Sequence, residues 1–223
     1  MLLLDRLCYI DDTTPRPAAL NMALDEALLS HVQQTGLAVL RGYRWRTRSI
    51  SMGYFSRYRD VADRYPGWEL VRRWTGGGVV EHEADFTYSL ILPAGTGSSF
   101  SNGFIYRAVN GALGSALRAS GVPVDQATAP DPVVSDACFS RAVVADLKWG
   151  ERKVAGAAIR RHRLGVLLQG SVQRILIPPA LLERFARHLA ASVSRGVVDP
   201  ELLQACERLA SQKYGLAAWT ERC

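Results

Sequence analysis

Three consecutive glycines, Gly76, Gly77 and Gly78, follow the run Leu70-Val71-Arg72-Arg73 and precede the alternating Phe86-Thr87-Tyr88-Ser89-Leu90. A glycine triplet at a strand end removes every Cβ, so a ligand's polar group can approach bare backbone amides. Arg72 and Arg73 add fixed charge and forked donors suited to a phosphate or carboxylate. Together they describe an anionic or acyl-activating site. The bland alternative is a flexible hairpin loop. Two phosphate-binding motifs do not fit: no Gly-Lys-Ser/Thr follows, and the spacing is not that of a dinucleotide fingerprint.

A second candidate lies in Asp146-Leu147-Lys148-Trp149-Gly150-Glu151-Arg152-Lys153-Val154-Ala155-Gly156-Ala157-Ala158. Little side-chain bulk follows Lys153, so its ammonium could reach a cleft and polarise a carbonyl or pair with an anion. A solvated surface charge is the ordinary fate of a lysine. Of the four cysteines, Cys8 and Cys206 lie in apolar patterns typical of inert buried thiols, and Cys223 is terminal. Cys138 instead follows the loop segment Pro130-Asp131-Pro132 and precedes Lys153 by fifteen residues. A lysine ammonium nearby would favour its thiolate. With no Cys-x-x-Cys pair and no His-Glu-x-x-His, no metal is expected.

The elements that must hold these residues are legible in part. Leu20, Leu24, Leu28 and Val32 share one helical face over 18–32, after Pro15 and Pro17. Strands are expected at about 38–45, 49–54, 69–74 and 85–92, and a helix at 106–120 stopped by Gly121. Strands over 143–149, 153–159 and 165–172 form a meander with short polar turns, and helices are expected at about 179–192 and 199–213. This order predicts one α+β domain over residues 1–223, with mixed or antiparallel sheets flanked by helices.

The 223 residues are 48% hydrophobic and 22% charged, enough to build a sizeable core. No apolar run approaches a membrane span, and Met1-Leu2-Leu3-Leu4 is broken by Asp5 and Arg6, too short for a signal peptide's apolar core. A cytoplasmic protein is expected. The net charge of +6 permits an acidic partner, whether nucleic acid, an anionic membrane or an acidic protein domain. Arg160-Arg161-His162-Arg163 reads equally as a solvated hairpin tip or a docking patch.

Four blocks, in order, resemble the catalytic domain shared by lipoate–protein ligases, octanoyltransferases and biotin–protein ligases. They are the helix Asn21–Leu29, the strand pair Arg41–Phe55, the Arg72–Ser89 stretch with its Arg-Arg-x-Thr-Gly-Gly-Gly-x-Val-x-His signature, and Asp146–Val172, which resembles the family's Gly-x-Lys-Val-x-Gly-x-Ala signature. The resemblance implies a mixed-sheet fold with an acyl tunnel. Gly76, Gly77 and Gly78 would lie against the acyl moiety, and Lys153 would contact its carbonyl oxygen. Arg72, Arg73, His82, Gly156 and Ala157 would complete the substrate site. It also implies transfer of an octanoyl or lipoyl group to a lysine of a lipoyl domain, such as the glycine-cleavage H protein or a 2-oxoacid dehydrogenase E2 component. Such domains and acyl carrier proteins are typically acidic, so nucleic acid and membrane recede as partners.

Two mechanisms divide the family. A transferase takes the acyl group from an acyl carrier protein thioester through a cysteine, without a cofactor. A ligase activates a free acid with ATP and Mg. The Cys138-Phe139 segment resembles the cysteine-dependent octanoyltransferases, and its spacing to Lys153 is similar to theirs. Gly78 is a ligase-like feature, Glu83 stands where Asp is more usual, and no histidine precedes Gly170-Ser171. The sequence is expected to lack room for the accessory C-terminal domain of many ligases, which favours a transferase or a ligase needing a separate partner. The ligase stays as the alternative, and a non-catalytic basic binding module on the same scaffold as the reading of another class.

Overall fold

The computed structural model describes residues 2–131 and 142–222. From the N-terminus, strand β1 (Leu4–Arg16) leads into helix α1 (Ala18–Thr35), followed by β2 (Ala38–Trp45) and β3 (Ser49–Met52). Next come α2 (Tyr58–Ala62), β4 (Glu69–Arg72), β5 (Val80–His82), β6 (Phe86–Pro93), α3 (Ala94–Ser98) and α4 (Asn102–Arg118). The central meander is β7 (Asp125–Gln126), β8 (Leu147–Trp149), β9 (Arg152–His162) and β10 (Gly165–Val172). The chain continues through α5 (Leu181–Leu189), β11 (Ala190–Gly196), α6 (Pro200–Leu209), a π-helical turn (Ala210–Tyr214) and α7 (Ala217–Thr220).

Eight strands form one mixed sheet in the order β11-β1-β2-β6-β10-β9-β8-β7, and β4-β3-β5 form a second, small sheet. Within the large sheet β1 runs parallel to both β11 and β2, while β2, β6, β10, β9, β8 and β7 are successively antiparallel. This is the expected α+β arrangement with helices on a mixed sheet. Among the described residues, no helix is long and apolar enough to cross a membrane.

Strand β6 explains how the layers pack. Its even positions, Phe86, Tyr88, Leu90 and Leu92, meet Ile105, Val109 and Leu113 of α4 and Phe185 of α5 in the main core. Its odd positions are buried too, because α1 covers the opposite face and packs Leu28, Leu29 and Val32 on Ile91 and Leu167. Two buried faces turn simple alternation into a fully buried strand.

Several boundaries differ from the sequence expectation. Helix α4 begins at Asn102 rather than Tyr106, because the Ser101 hydroxyl accepts from the Phe104 N–H at 3.2 Å and caps it. The strand expected over 143–149 is confined to Leu147–Trp149, since Val143 to Asp146 make a turn with Ala145 at φ 72°. The helix expected to reach residue 192 ends at Leu189, where the chain joins β1 as strand β11. Neither β1 nor β11 is anticipated by the sequence reading.

Candidate active site

Register places two rows of residues on one face of the large sheet. Tyr43 opposes Thr87, Thr87 opposes Ser171, and Ser171 opposes Gly156. Two positions along, Arg41, Ser89, Gln169 and Ala158 form the neighbouring row. Side chains two apart on a strand share a face, so both rows point toward α1 and the small sheet. Above them lies a pocket with about 400 Å³ of empty space, part of it open to solvent. Its walls are Met22, Tyr43, Trp45, Ser51, Arg73, Val80, His82, Thr87, Gly156, Ala157, Ala158, Gln169, Gly170 and Ser171.

Two buried carboxylates organise the pocket. Asp25, on α1, accepts from Arg41 at 2.9 Å, Ser89 at 2.8 Å, Gln169 at 2.8 Å and the Tyr43 hydroxyl at 3.2 Å. Asp12 neutralises the other side of the Arg41 guanidinium at 2.8 Å. Gln169 in turn accepts from the Thr75 hydroxyl at 2.7 Å, which ties the glycine loop to this hub. Such a buried network is tolerable because each charge has opposite charge and hydrogen bonds around it.

The second carboxylate, Asp85, accepts from Thr87 at 2.6 Å and Ser171 at 2.7 Å and lies 2.8 Å from His82 Nδ1. His82 Nε2 is 2.8 Å from the Ser51 hydroxyl, and its ring stacks on Trp45 with centroids 4.0 Å apart. Burial acts to raise the Asp85 pKa, but the His82 charge and the three hydrogen bonds outweigh it and hold the carboxyl below its ordinary value. A depressed folded-state pKa stabilises the fold above the unfolded value, and that stabilisation is lost as pH falls through the folded value. Thermal stability is therefore expected to fall below about pH 4, and Asp85→Asn should flatten that acid limb in melting curves taken against pH.

Lys153 is buried, with its Nζ 2.8 Å from Asp146 Oδ2. Asp146 also accepts from the Val143 N–H at 2.7 Å and from the Tyr106 hydroxyl. A Cβ on Gly156 would come within 2.8 Å of Lys153 Cε and 2.9 Å of both Nζ and Asp146 Oδ1. The glycine therefore makes room for the ammonium at the β9 edge of the pocket. The neighbouring Ala157 N–H donates to the Tyr106 hydroxyl at 3.2 Å, which joins α4 to this edge. Burial, then the Asp146 charge and hydrogen bond, push the Tyr106 hydroxyl well above its usual pKa, so it stays a neutral donor.

The arginine pair shapes the site from within. Arg72 is fully buried and donates to the carbonyls of Tyr54 at 2.9 Å, Ser56 at 2.7 Å and Thr220 at 2.9 Å. Arg73 lines the pocket and donates to Ser51 O at 2.8 Å, Gly76 O at 2.8 Å and Gly78 O at 2.6 Å. The triplet thus turns two carbonyls toward its own arginine. The three glycines are not pocket walls; Gly77 approaches the wall residue Ala158, with its missing Cβ 3.6 Å from that side chain.

Gly77 has φ 87°, and a Cβ there would sit 3.1 Å from Arg73 Nη2, whereas a Cβ on Gly76 meets nothing within 4 Å. Gly77→Val is expected to lower both melting temperature and activity, with the backbone strain alone costing about 1–2 kcal/mol. Gly76→Ala should melt like the parent. Equal melting of the two variants would mean that the loop adopts another shape.

Two arginines of the basic segment have protein partners, although Arg161 is exposed. Arg160 stacks on Tyr54 and Trp74 at 4.8 and 4.6 Å, and Arg161 donates to Asn102 at 2.7 Å and Gly97 O at 2.9 Å. Cys138 lies outside the described residues. The described residues on either side, Asp131 and Ala142, exchange two hydrogen bonds of 2.9 Å. Asp25, Arg41, Asp85, Tyr106 and Gln169 were not singled out by sequence reasoning. Asp85 carried a faint signal, three residues after His82.

Similarities to known proteins agree with this architecture. Residues 17–187 match the model of the lipoyl protein ligase A/B catalytic domain. The chain is 36% identical over 173 residues to octanoyltransferase LipM of Exiguobacterium sibiricum, covering 69% of this chain and 61% of that protein. It is 34% identical to the LipM of Symbiobacterium thermophilum, covering 79% and 68%. The chain thus spans about three fifths to two thirds of the length of these curated relatives. A putative lipoate protein ligase from T. acidophilum superposes with a TM-score of 0.76 at 22% identity, covering 98% of this chain and 99% of that one. A lipoate-protein ligase A bound with ATP gives 0.75 at 22%, covering 98% of each chain. By the extent of the family match, the chain belongs to the lipoyl protein ligase A/B catalytic-domain family.

Proposed function

We propose that this protein is an octanoyltransferase of protein lipoylation. The observation that carries the reading is a buried ammonium, Lys153, against Gly156 at the edge of the pocket, in a chain 31–36% identical to LipM octanoyltransferases. In the proposed reaction the Cys138 thiolate attacks the carbonyl carbon of an octanoyl or lipoyl thioester on acyl carrier protein. The carrier thiolate leaves and takes up a proton. The ε-amine of a lysine on a lipoyl domain then attacks the Cys138 thioester, forming an amide and regenerating the thiol. Lys153 stabilises the negative charge on the carbonyl oxygen in both steps. Asp146 holds it in place and, through Val143, also anchors the chain beside the Cys138 segment.

Neither step requires a cofactor. The net charge of +6 suits acidic partners, here the acyl carrier protein and a lipoyl domain of the glycine-cleavage H protein or E2 type, rather than nucleic acid or a membrane. The free thiols of Cys8 and Cys206 fit a cytoplasmic, reducing setting. The ATP- and Mg-dependent ligase is the second reading, favoured by Gly78, which completes the ligase-like triplet.

Intact-mass spectrometry tests the choice. Mixed with octanoyl carrier protein and no ATP, the protein is expected to gain one octanoyl group that hydroxylamine removes. No gain under those conditions, with octanoyl-adenylate formed from octanoate, ATP and Mg, would establish the ligase instead. Neither product, together with salt-sensitive nucleic-acid binding, would leave the binding module.

A further inference from the structure

The pocket floor is graded in bulk. From β9 to β2 one row reads Gly156, Ser171, Thr87, Tyr43, so side chains grow with distance from Lys153. Ser171 and Thr87 donate their hydroxyls to Asp85 at 2.7 and 2.6 Å, which satisfies their polar ends away from any ligand. Neighbouring strands are ~4.8 Å apart, so the row from Gly156 to Tyr43 spans about 14 Å. An extended eight-carbon chain, at roughly 1.25 Å of rise per tetrahedral bond, covers about 9 Å. With its carbonyl beside Gly156 and Lys153, its last methyl arrives at about Thr87, one strand short of Tyr43.

Tyr43, Trp45 and Met22 are large side chains that line the pocket over this row, and they differ in how firmly they are held. Tyr43 is fixed by Asp25 at 3.2 Å and by Arg41 at 4.2 Å from its ring centroid. Trp45 donates to Thr87 at 2.7 Å and stacks on His82. Met22 descends from α1, is 2% exposed, and among the described residues its one polar contact is a weak thioether bond accepted from Gln169 at 3.4 Å. An unbranched, polarisable side chain of this kind fills irregular apolar space and yields without moving backbone.

We propose that Met22 sets the longest acyl chain that the pocket accepts, an inference that rests on the acyl-pocket reading above. The test is isothermal titration of the full chain with saturated fatty acids from hexanoate to dodecanoate. Wild-type affinity should rise about four-fold per methylene up to eight carbons and then fall. Met22→Ala should carry the rise two or three carbons further, raising the ratio of decanoate to octanoate affinity at least about ten-fold. Met22→Leu, of similar volume, should keep the wild-type optimum, and Met22→Phe should shorten it. The Phe variant keeps the proposal testable if Met22→Ala proves unstable. A normal wild-type series with the optimum unmoved in a folded Met22→Ala or Met22→Phe protein overturns the gauge and leaves the acyl site standing. Failure of the wild type to bind any chain overturns both.

Discussion

A Cys138→Ala protein is expected to fold and to gain no octanoyl group from octanoyl carrier protein, whereas Cys8→Ala and Cys206→Ala proteins should acylate as the parent does. The contrast follows from thiol chemistry, because the thiolate is the nucleophile. Cys206 is fully buried, and burial pushes its thiol up to about 11. At neutral pH roughly one molecule in ten thousand would carry that thiolate. The Cys8 thiol is also raised, by burial that a hydrogen bond with Ser194 only partly offsets. Neither is poised for attack. Cys138 differs by its sequence position, fifteen residues before a lysine that is buried against Asp146. The measurement is intact mass after a short incubation, with peptide mapping of the modified residue. Full octanoyl transfer by Cys138→Ala would remove the transferase mechanism.

Elements with one strong pattern were legible in the sequence, and those shaped by distant partners were not. Helix α1 and strands β2, β6 and β10 fall close to their expected ranges because apolar residues recur along each of them. Strand β1 places Leu4, Leu7 and Ile10 at intervals of three, which resembles a helix more than a strand. Strand β11 is polar and largely exposed, and it exists because β1 supplies its hydrogen bonds. The site divides the same way. Asp146 and Lys153 are seven residues apart across the β8–β9 turn, so the sequence brings them together. Asp25, Arg41 and Gln169 meet only where α1 packs on the sheet, and Gln169 lies 144 residues from Asp25. Arg72 and Arg73 stood out as chemically special, yet their partners could not be read: Arg72 reaches Thr220, 148 residues away.

Lys153→Ala is expected to slow acyl-enzyme formation by on the order of a hundred- to a thousand-fold, the usual effect of removing one charge-stabilising donor. Because the lysine also neutralises a buried carboxylate, stability must be separated from catalysis. Removing one member of a buried ion pair costs about 3–5 kcal/mol when the partner charge is stranded. Asp146 keeps the Val143 N–H and the Tyr106 hydroxyl, which lessens that penalty. The double variant Lys153→Met with Asp146→Asn removes both charges, so it should recover much of the melting temperature. It should not recover the rate if the ammonium acts on the acyl oxygen as proposed, because that ammonium is gone. Lys153→Arg keeps the charge but should also stay slow. Lys153 lies so close over Gly156 that even a Cβ there would come within 2.9 Å of Nζ, leaving little space for a planar guanidinium. Single-turnover acylation and a melting curve on each variant distinguish the outcomes. Rate and stability recovering together in the double variant would make Lys153 a structural residue, and the electrophilic role would pass to another donor at the β9 edge.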